Sequence, residues 1–414
     1  MKLTRIAILA AVASLLFAGL MMLGTKKASA AAASCVNPGG TGGCFSTIQA
    51  AINAASPGDT INVAAGTYSE QVNINKTVIL KGAKSGVDAR TRVPSSESII
   101  DHPCGPVQIE ADNVVLDGFT VQGSTLSDPC FLSGIWTNPG FTGTQGGHRI
   151  LNNIIQNNIS GIELDSTCTN PTLAQFNLIQ NNNNPGPGAG NAIQTNFGLC
   201  NATIDKNKFS GHGNSSILVV AASSGLVVSN NELVGGTPER IVFGGVTNSS
   251  IVGNTSIGST ATNGPIRLFG GNSNIQINSN TLRNGVRGIK VDDPFSIGPN
   301  SGVTMHFNCI TGNSVAGLEV ALGGHSGTLN AENNWWGSAS GPFPTGTGDA
   351  VVDPGGVVDY VPFLTSPAGT PCAPPPVGPP TNKDQCKGDG WKAFNTPRSF
   401  KNQGDCIQYV NTGK

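Results

Sequence analysis

Residues 275–282 read Ile-Gln-Ile-Asn-Ser-Asn-Thr-Leu, a pattern of apolar-x-apolar-x-x-Asn-x-apolar. With small lapses it recurs upstream through Ile150/Asn153/Ile155, Ala174/Asn177/Ile179, Ala202/Ile204/Asn207/Phe209, Leu226/Val228/Asn231/Leu233 and Ile251/Asn254. Downstream it continues through Val303/Met305/Asn308/Ile310 and Leu329/Ala331/Asn334/Trp336. The asparagine returns every 23 to 30 residues, and a fixed period of this length marks a stacked repeat. Each repeat adds a second short strand, marked by Gly134-Ile135, Gly161-Ile162, Ala192-Ile193, Ile217, Ile241, Ile266, Gly288-Ile289 and Gly317-Leu318. Short strands separated by Gly and Asn cannot form helical hairpins. They can wind a coil in which each strand pairs with its counterpart one repeat away. The pattern therefore predicts an all-β chain, a right-handed parallel β-helix. Alternate side chains face in and out, and about eleven rungs at about 4.8 Å make a rod of about 50 Å.

The recurring asparagine has two readings. It sits where the chain bends between strands, and asparagine tolerates the left-handed conformation better than most residues. Stacked in register, its amides can bond up and down as a ladder. The pattern places it inward with the apolar set, which favours this structural role over a row of sugar-binding amides.

The open ends of such a coil expose strand edges and need covers. Residues 46–55 (STIQAAINAA) carry Ile48, Ala51, Ile52 and Ala55 on one face, a short capping helix with Ser46 placed as its N-cap. At the other end, Val357 to Val361 is expected to close the last coil. The expected organisation is a signal peptide at 1–30, the β-helix at 31–365, a Pro-rich linker at 366–382 and a small disulfide-paired tail at 383–414.

Lys2 and Arg5 precede an apolar run from Ile6 to Leu23, followed by Ala28-Ser29-Ala30. This is the layout of a cleaved secretory signal; the rival readings are an uncleaved anchor and a lipid-modified Cys35. After cleavage no later segment is apolar enough to span a membrane, so the mature protein is expected outside the cell or at its surface. Ten cysteines in an exported chain read as disulfides. Cys35/Cys44 and Cys386/Cys406 are close pairs. Cys104/Cys130 and Cys168/Cys200 could join neighbouring repeats, leaving Cys309 with Cys372, though sequence does not settle the connectivity. The net charge of −1 includes four cations within residues 1–30, so the mature chain stands near −5. The last 32 residues hold six Lys/Arg against three Asp/Glu, which leaves the body near −8. A nucleic-acid partner needs a basic surface and is excluded.

The opening STIQAAINAASPGDTINVAAGTYSEQVNINKTVILKG, with NVVLDGFTVQG and ENNWWGSASGP further on, resembles bacterial right-handed parallel β-helix proteins of the pectate-lyase-like superfamily. The resemblance spans about residues 45–365 and implies the fold. It leaves function open among polysaccharide lyases, glycoside hydrolases, epimerases, adhesins and a copper-maturation protein. The tail (CKGDGWKAF…FKNQGDCIQYV) is similar to a short ending of otherwise unrelated secreted bacterial proteins.

Chemistry must come from a site, not from the fold. Outward positions of the second strand stack as Trp136, Glu163 with Asp165, Gln194, Leu218, Val242, Arg267, Lys290 with Asp292, and Glu319. Arg267, Lys290 and Asp292 are the catalytic candidates. In a lyase, one cation neutralises a sugar carboxylate while a base removes the adjacent proton, and Asp292, Asp293 and Glu319 could hold Ca²⁺. The alternative is a cross-rung salt-bridge ladder. Trp136, Glu163, Asp165 and Glu319 are the substrate-binding candidates. Gly211-His212-Gly213 and Arg287-Gly288-Ile289-Lys290 echo the polygalacturonases, but the acids of that family are missing. His148, His306 and His325 lack metal-ligand spacing. The expectation is a secreted β-helix that binds, and could cleave, an acidic extracellular polysaccharide. The alternative is a non-catalytic surface or adhesive rod.

Overall fold

The computed structural model describes residues 35–126, 130, 132–138, 145–367, 369–372, 379–387, 391, 394 and 398–413. The expected signal peptide and parts of the linker and tail lie outside these residues. Three strands recur in each of ten successive turns. Arg149–Leu151, Ile154–Gln156 and Ser160–Glu163 form one such turn. What reads as a single strand through Asn153 is two strands bent at the asparagine. The three strand positions stack into parallel sheets of 16, 10 and 11 strands, here the first, second and third sheets in chain order. The molecule is an all-β, right-handed parallel β-helix. One apolar core runs along it from Val36 to Val351.

The bend between first and second sheets explains the asparagine. Asn153, Asn177, Asn207, Asn231, Asn254, Asn280, Asn308 and Asn334 are all at most 2% exposed. Each side-chain oxygen after the first accepts both the backbone N–H and the Nδ2 of the ladder asparagine one turn earlier, at 2.9–3.3 Å. Nδ2 donates a second time to a backbone carbonyl, as from Asn231 to Ile204 at 2.8 Å. Every polar atom freed by the bend is thereby paired, as a buried bend requires. The left-handed residue is not the ladder asparagine but the one before it. Asn152, Phe176, Lys206, Asn230, Ser279, Phe307 and Asn333 all have φ between 52° and 58°. The strain of the bend and its hydrogen bonding are thus divided between adjacent residues.

A second ladder occupies the bend between second and third sheets. Asn158 Nδ2 donates to Asn182 Oδ1 at 3.0 Å, and Asn182 Nδ2 meets His212 Nε2 at 3.3 Å. His212 Nδ1 lies 3.0 Å from Glu239 Oε1, and both residues are 1% exposed. The Gly211-His212-Gly213 echo is therefore an interior ladder terminus, not a surface acid–base pair.

The helix Ile48–Ala54 buries Ile48, Ala51 and Ile52 over the first turn. Its N-cap is Thr47, not Ser46. Thr47 is extended and its hydroxyl accepts from Ala50 N at 3.2 Å. Glu70 then takes the exposed N–H groups of Ile48 and Gln49 at 2.7 and 3.0 Å, a carboxylate on the positive end of the helix. At the far end Val351–Val352 adds to the third sheet and Val358–Asp359 to the first. Disulfides join Cys35–Cys44, Cys104–Cys130, Cys168–Cys200, Cys309–Cys372 and Cys386–Cys406. In the tail, Cys386, Cys406, Phe394 and Phe400 make a small core of their own beside the helix Gln403–Thr412. No helix of the described residues is long and apolar enough to cross a membrane.

Candidate functional site: the outer column of the third sheet

The expected outer strip exists as a column in register. Gln108, Trp136, Glu163, Gln194, Leu218, Val242, Arg267, Lys290, Glu319 and Val352 stand opposite one another on successive rungs. The structure brings all the candidate site residues onto this column or directly beside it. It does not leave them all exposed.

At the N-terminal end Trp136, Glu163 and Asp165 are buried, at 9%, 3% and 0% exposure, where a solvated strip was expected. The next rung and the approach to it close over them. Gln194 Nε2 donates to Glu163 Oε2 at 2.8 Å, and the backbone at Gly188 runs so near that a Cβ there would clash with the Gln194 amide. Asp165 Oδ1 accepts the Thr195 hydroxyl at 2.7 Å and the backbone N–H groups of Asn196, Phe197 and Gly198 at 2.9–3.2 Å. That oxygen holds the turn after the next strand, and Oδ2 is buried with no hydrogen-bond partner, so full burial keeps the carboxylate from a sugar hydroxyl. Glu163 differs. Burial pushes its carboxyl up to about 7, the Gln194 hydrogen bond partly opposes this, and the Asp165 charge adds to it. Its Oε1 is buried with no hydrogen-bond partner. A carboxyl poised near neutrality can give or take a proton.

The C-terminal end is more open and its charges are interlocked. Arg267 meets Asp292 through Nε–Oδ1 at 3.0 Å and Nη2–Oδ2 at 2.7 Å, the bidentate geometry a guanidinium favours. Lys290 Nζ lies 3.4 Å from Asp292, 3.5 Å from Glu319 and 3.1 Å from Asn263 Oδ1. Arg287 reaches Glu319 at 2.6 Å. Asp292 is only 6% exposed, so it serves as counter-ion to Arg267 and is not available as a catalytic group. Asp293 turns back into its own loop, accepting from Ile297 and Gly298. Asp292, Asp293 and Glu319 therefore form no calcium cage. Among the described residues no three acidic, His or Cys side chains converge on a metal position.

Arg240 is the residue that the sequence reading missed. It stands just before the strand Ile241–Phe243, half-buried, and bonds only neutral oxygens: Asn214 Oδ1 at 2.7 Å and Ser215 Oγ at 3.2 Å. Among the described residues it has no carboxylate partner. Burial first, and the charge of Arg267 second, lower its pKa. Its place beside Ile241 was visible in the sequence, but its lack of a counter-ion was not. Between the two ends the surface is apolar, with Val242 and Phe269 nearly buried, Val220 exposed, and Phe269 edge-on to the exposed Phe295 at 5.8 Å.

No family model matches this sequence, and none of the curated proteins does. Solved structures with a similar course include an alginate lyase from Paenibacillus sp. (13% identity, TM-score 0.48), covering 76% of this chain and 96% of that one. Another is a DFA-IIIase from Arthrobacter chlorophenolicus (13%, TM-score 0.45; 78% and 98%). A third is the mannuronan C-5 epimerase A-module of Azotobacter vinelandii (13%, TM-score 0.41; 77% and 93%). At these values none of them assigns a substrate or a residue role to this chain.

Proposed function

We propose that this is a secreted protein that binds an acidic extracellular polysaccharide along the outer column of its third sheet. The observation that carries the reading is a charge imbalance. Over the rungs from Arg240 to Glu319, Arg240, Arg267, Arg287 and Lys290 stand against Asp292, Asp293 and Glu319, one cation in excess on a body that is acidic as a whole, and Arg240 has no carboxylate partner among the described residues. A ladder serving stability alone has no use for the surplus, whereas sugar carboxylates spaced along a chain would neutralise it. The apolar middle offers a face to the rings, and the rung repeat of about 4.8 Å is close to the length of one pyranose unit. Five disulfides support an oxidising, extracellular setting. At the covered end Glu163 is a proton donor or acceptor that a polysaccharide would reach only with the Gln194 side chain moved aside.

A non-catalytic rod is the second reading. It is favoured by three clefts among the described residues that lie away from the column: one of about 440 Å³ near Cys35, Cys44, Lys81 and Ser85, and two of about 240 Å³ near Val227 and near Cys168. The test is affinity electrophoresis of the purified protein through uronate and neutral polysaccharides, with and without calcium, followed by an ultraviolet assay for unsaturated products. Retardation in uronate gels alone, reduced about tenfold in Arg267→Ala/Lys290→Ala, is expected. Equal mobility in all gels overturns the reading in favour of the rod.

A further inference from the structure

Four hydrogen bonds connect the N-terminal end of the column to its middle. Gln194 Nε2 donates to Glu163 Oε2 at 2.8 Å, and Asn191 Nδ2 donates to Gln194 Oε1 at 2.8 Å. Asn214 Nδ2 donates to Asn191 Oδ1 at 2.9 Å, and Arg240 Nη2 donates to Asn214 Oδ1 at 2.7 Å. The chain starts on a cation, ends on a carboxyl and crosses four neighbouring rungs through three amides. Every link points the same way. A guanidinium can only donate, so Asn214 must turn its oxygen to Arg240 and its nitrogen onward. An independent contact fixes the middle: Asn191 Nδ2 also donates to the Gly188 carbonyl, which can only accept. Aligned amides polarise one another, so the links strengthen as a set.

We propose that Arg240 is a positioning residue for Glu163, acting through Asn214, Asn191 and Gln194 to commit Oε2 as an acceptor and place the exchangeable proton on Oε1. Gln194 Nε2 has only hydrogens to offer, so a proton on Oε2 would face another donor. Oε1 is buried without a partner, so a proton there meets no competing hydrogen bond within the protein. The other charged group facing Glu163 is Asp165, two residues beyond the end of its strand; its Oδ1 is spent on backbone N–H groups and its Oδ2 is buried without a partner. The neighbouring strands contribute Trp136 and Gln194, neither of them charged. The inference rests on the reading of Glu163 given above but is tested apart from it.

The experiment is carboxyl ¹³C NMR of the full chain labelled at glutamate, with Glu163 assigned by its absence in Glu163→Gln. Arg240→Met should raise the Glu163 midpoint by about half a unit or more, because the ionised form loses its distant cation. Asn214→Ala, at a half-exposed position, should produce a shift of the same sign and similar size with Arg240 still present, and the double variant should add little. An unmoved midpoint in Arg240→Met, or one that moves there but not in Asn214→Ala, overturns the relay; the second result would leave only a through-space charge effect. Native circular dichroism of both variants keeps misfolding apart from these outcomes. Unaltered polysaccharide binding and cleavage by Glu163→Gln would remove Glu163 from the function while leaving the relay to stand or fall on the titration.

Discussion

The inner asparagine ladder and the outer column of the third sheet are both stacks of one residue per rung, built on the same repeat. The ladder keeps one residue type through eight turns, is neutral, and pairs its polar atoms wholly within the protein. The column changes residue at nearly every rung, from Trp136 and Glu163 through Leu218 to Arg267 and Lys290. Uniformity is what a stack needs when its only task is to close bends. Variation along a stack with the same backbone support shows that the outer column carries no such uniform bonding task.

The comparison breaks most easily at the ladder. Asn231→Ala should cost about 3 kcal/mol in urea unfolding, since it orphans the backbone N–H of Asn207, takes one of two bonds from Asn207 Nδ2 and removes the amide donor to the Ile204 carbonyl, each buried loss costing about 1–3 kcal/mol. A loss under about 1 kcal/mol would show that the ladder is ornamental.

Next comes Glu163. Its carboxyl titrates near 7 in the fold against about 4.5 when unfolded. Its contribution is full below 4.5 and is lost as pH rises to 7, so ionised Glu163 is a burden at pH 8. Glu163→Gln should raise stability there by about 2 kcal/mol. His148 opposes it. Fully buried, with neither ring nitrogen partnered, it titrates near 4 in the fold against 6.5 when unfolded, chiefly from burial. Its contribution is present above 6.5 and lost as pH falls to 4. The two slopes nearly cancel between about 4.5 and 6.5, because folding there takes one proton from His148 and adds one to Glu163. These two groups together should leave stability nearly flat with pH over that window. Glu163→Gln should unmask stability that rises with pH, and His148→Phe the reverse. Like-signed slopes in the two variants would contradict the assignment.

Smaller effects sharpen the outer side. Arg267→Ala should cost about 1–2 kcal/mol: Asp292 is nearly buried and loses its bidentate partner, though Lys290 stays within 3.4 Å. Lys206→Ala should change stability by less than about 0.5 kcal/mol in the same assay, because its side chain is 44% exposed and its pairing with Asp205 is loose at 3.7 Å.

Much of this was legible in the residues. The Asn period and the alternation around it specify a parallel coil, its register and the column on which Trp136, Glu163, Arg267, Lys290 and Glu319 meet. These follow from local rules, since a side chain's face is set by its place in a strand. Two local details went astray: the N-cap is Thr47 and not Ser46, and the left-handed residue precedes the ladder asparagine. Each turns on one residue's φ and ψ, which periodicity does not carry.

What only the tertiary structure decided is which members of the column reach solvent and which are already paired. Glu163 and Asp165 sit on the predicted outward face, yet both are buried by Gln194 and the turn after it, one rung and about 30 residues away in the chain. Asp292 was read as a catalytic group and is the counter-ion of Arg267. Arg240 drew no notice in the sequence and proves to be a cation of this sheet with no carboxylate partner among the described residues. Strand alternation depends on neighbours along the chain, so one sequence suffices to read it. Burial, ion pairing and an amide relay depend on neighbours across rungs, and loops of unequal length between the strands determine those.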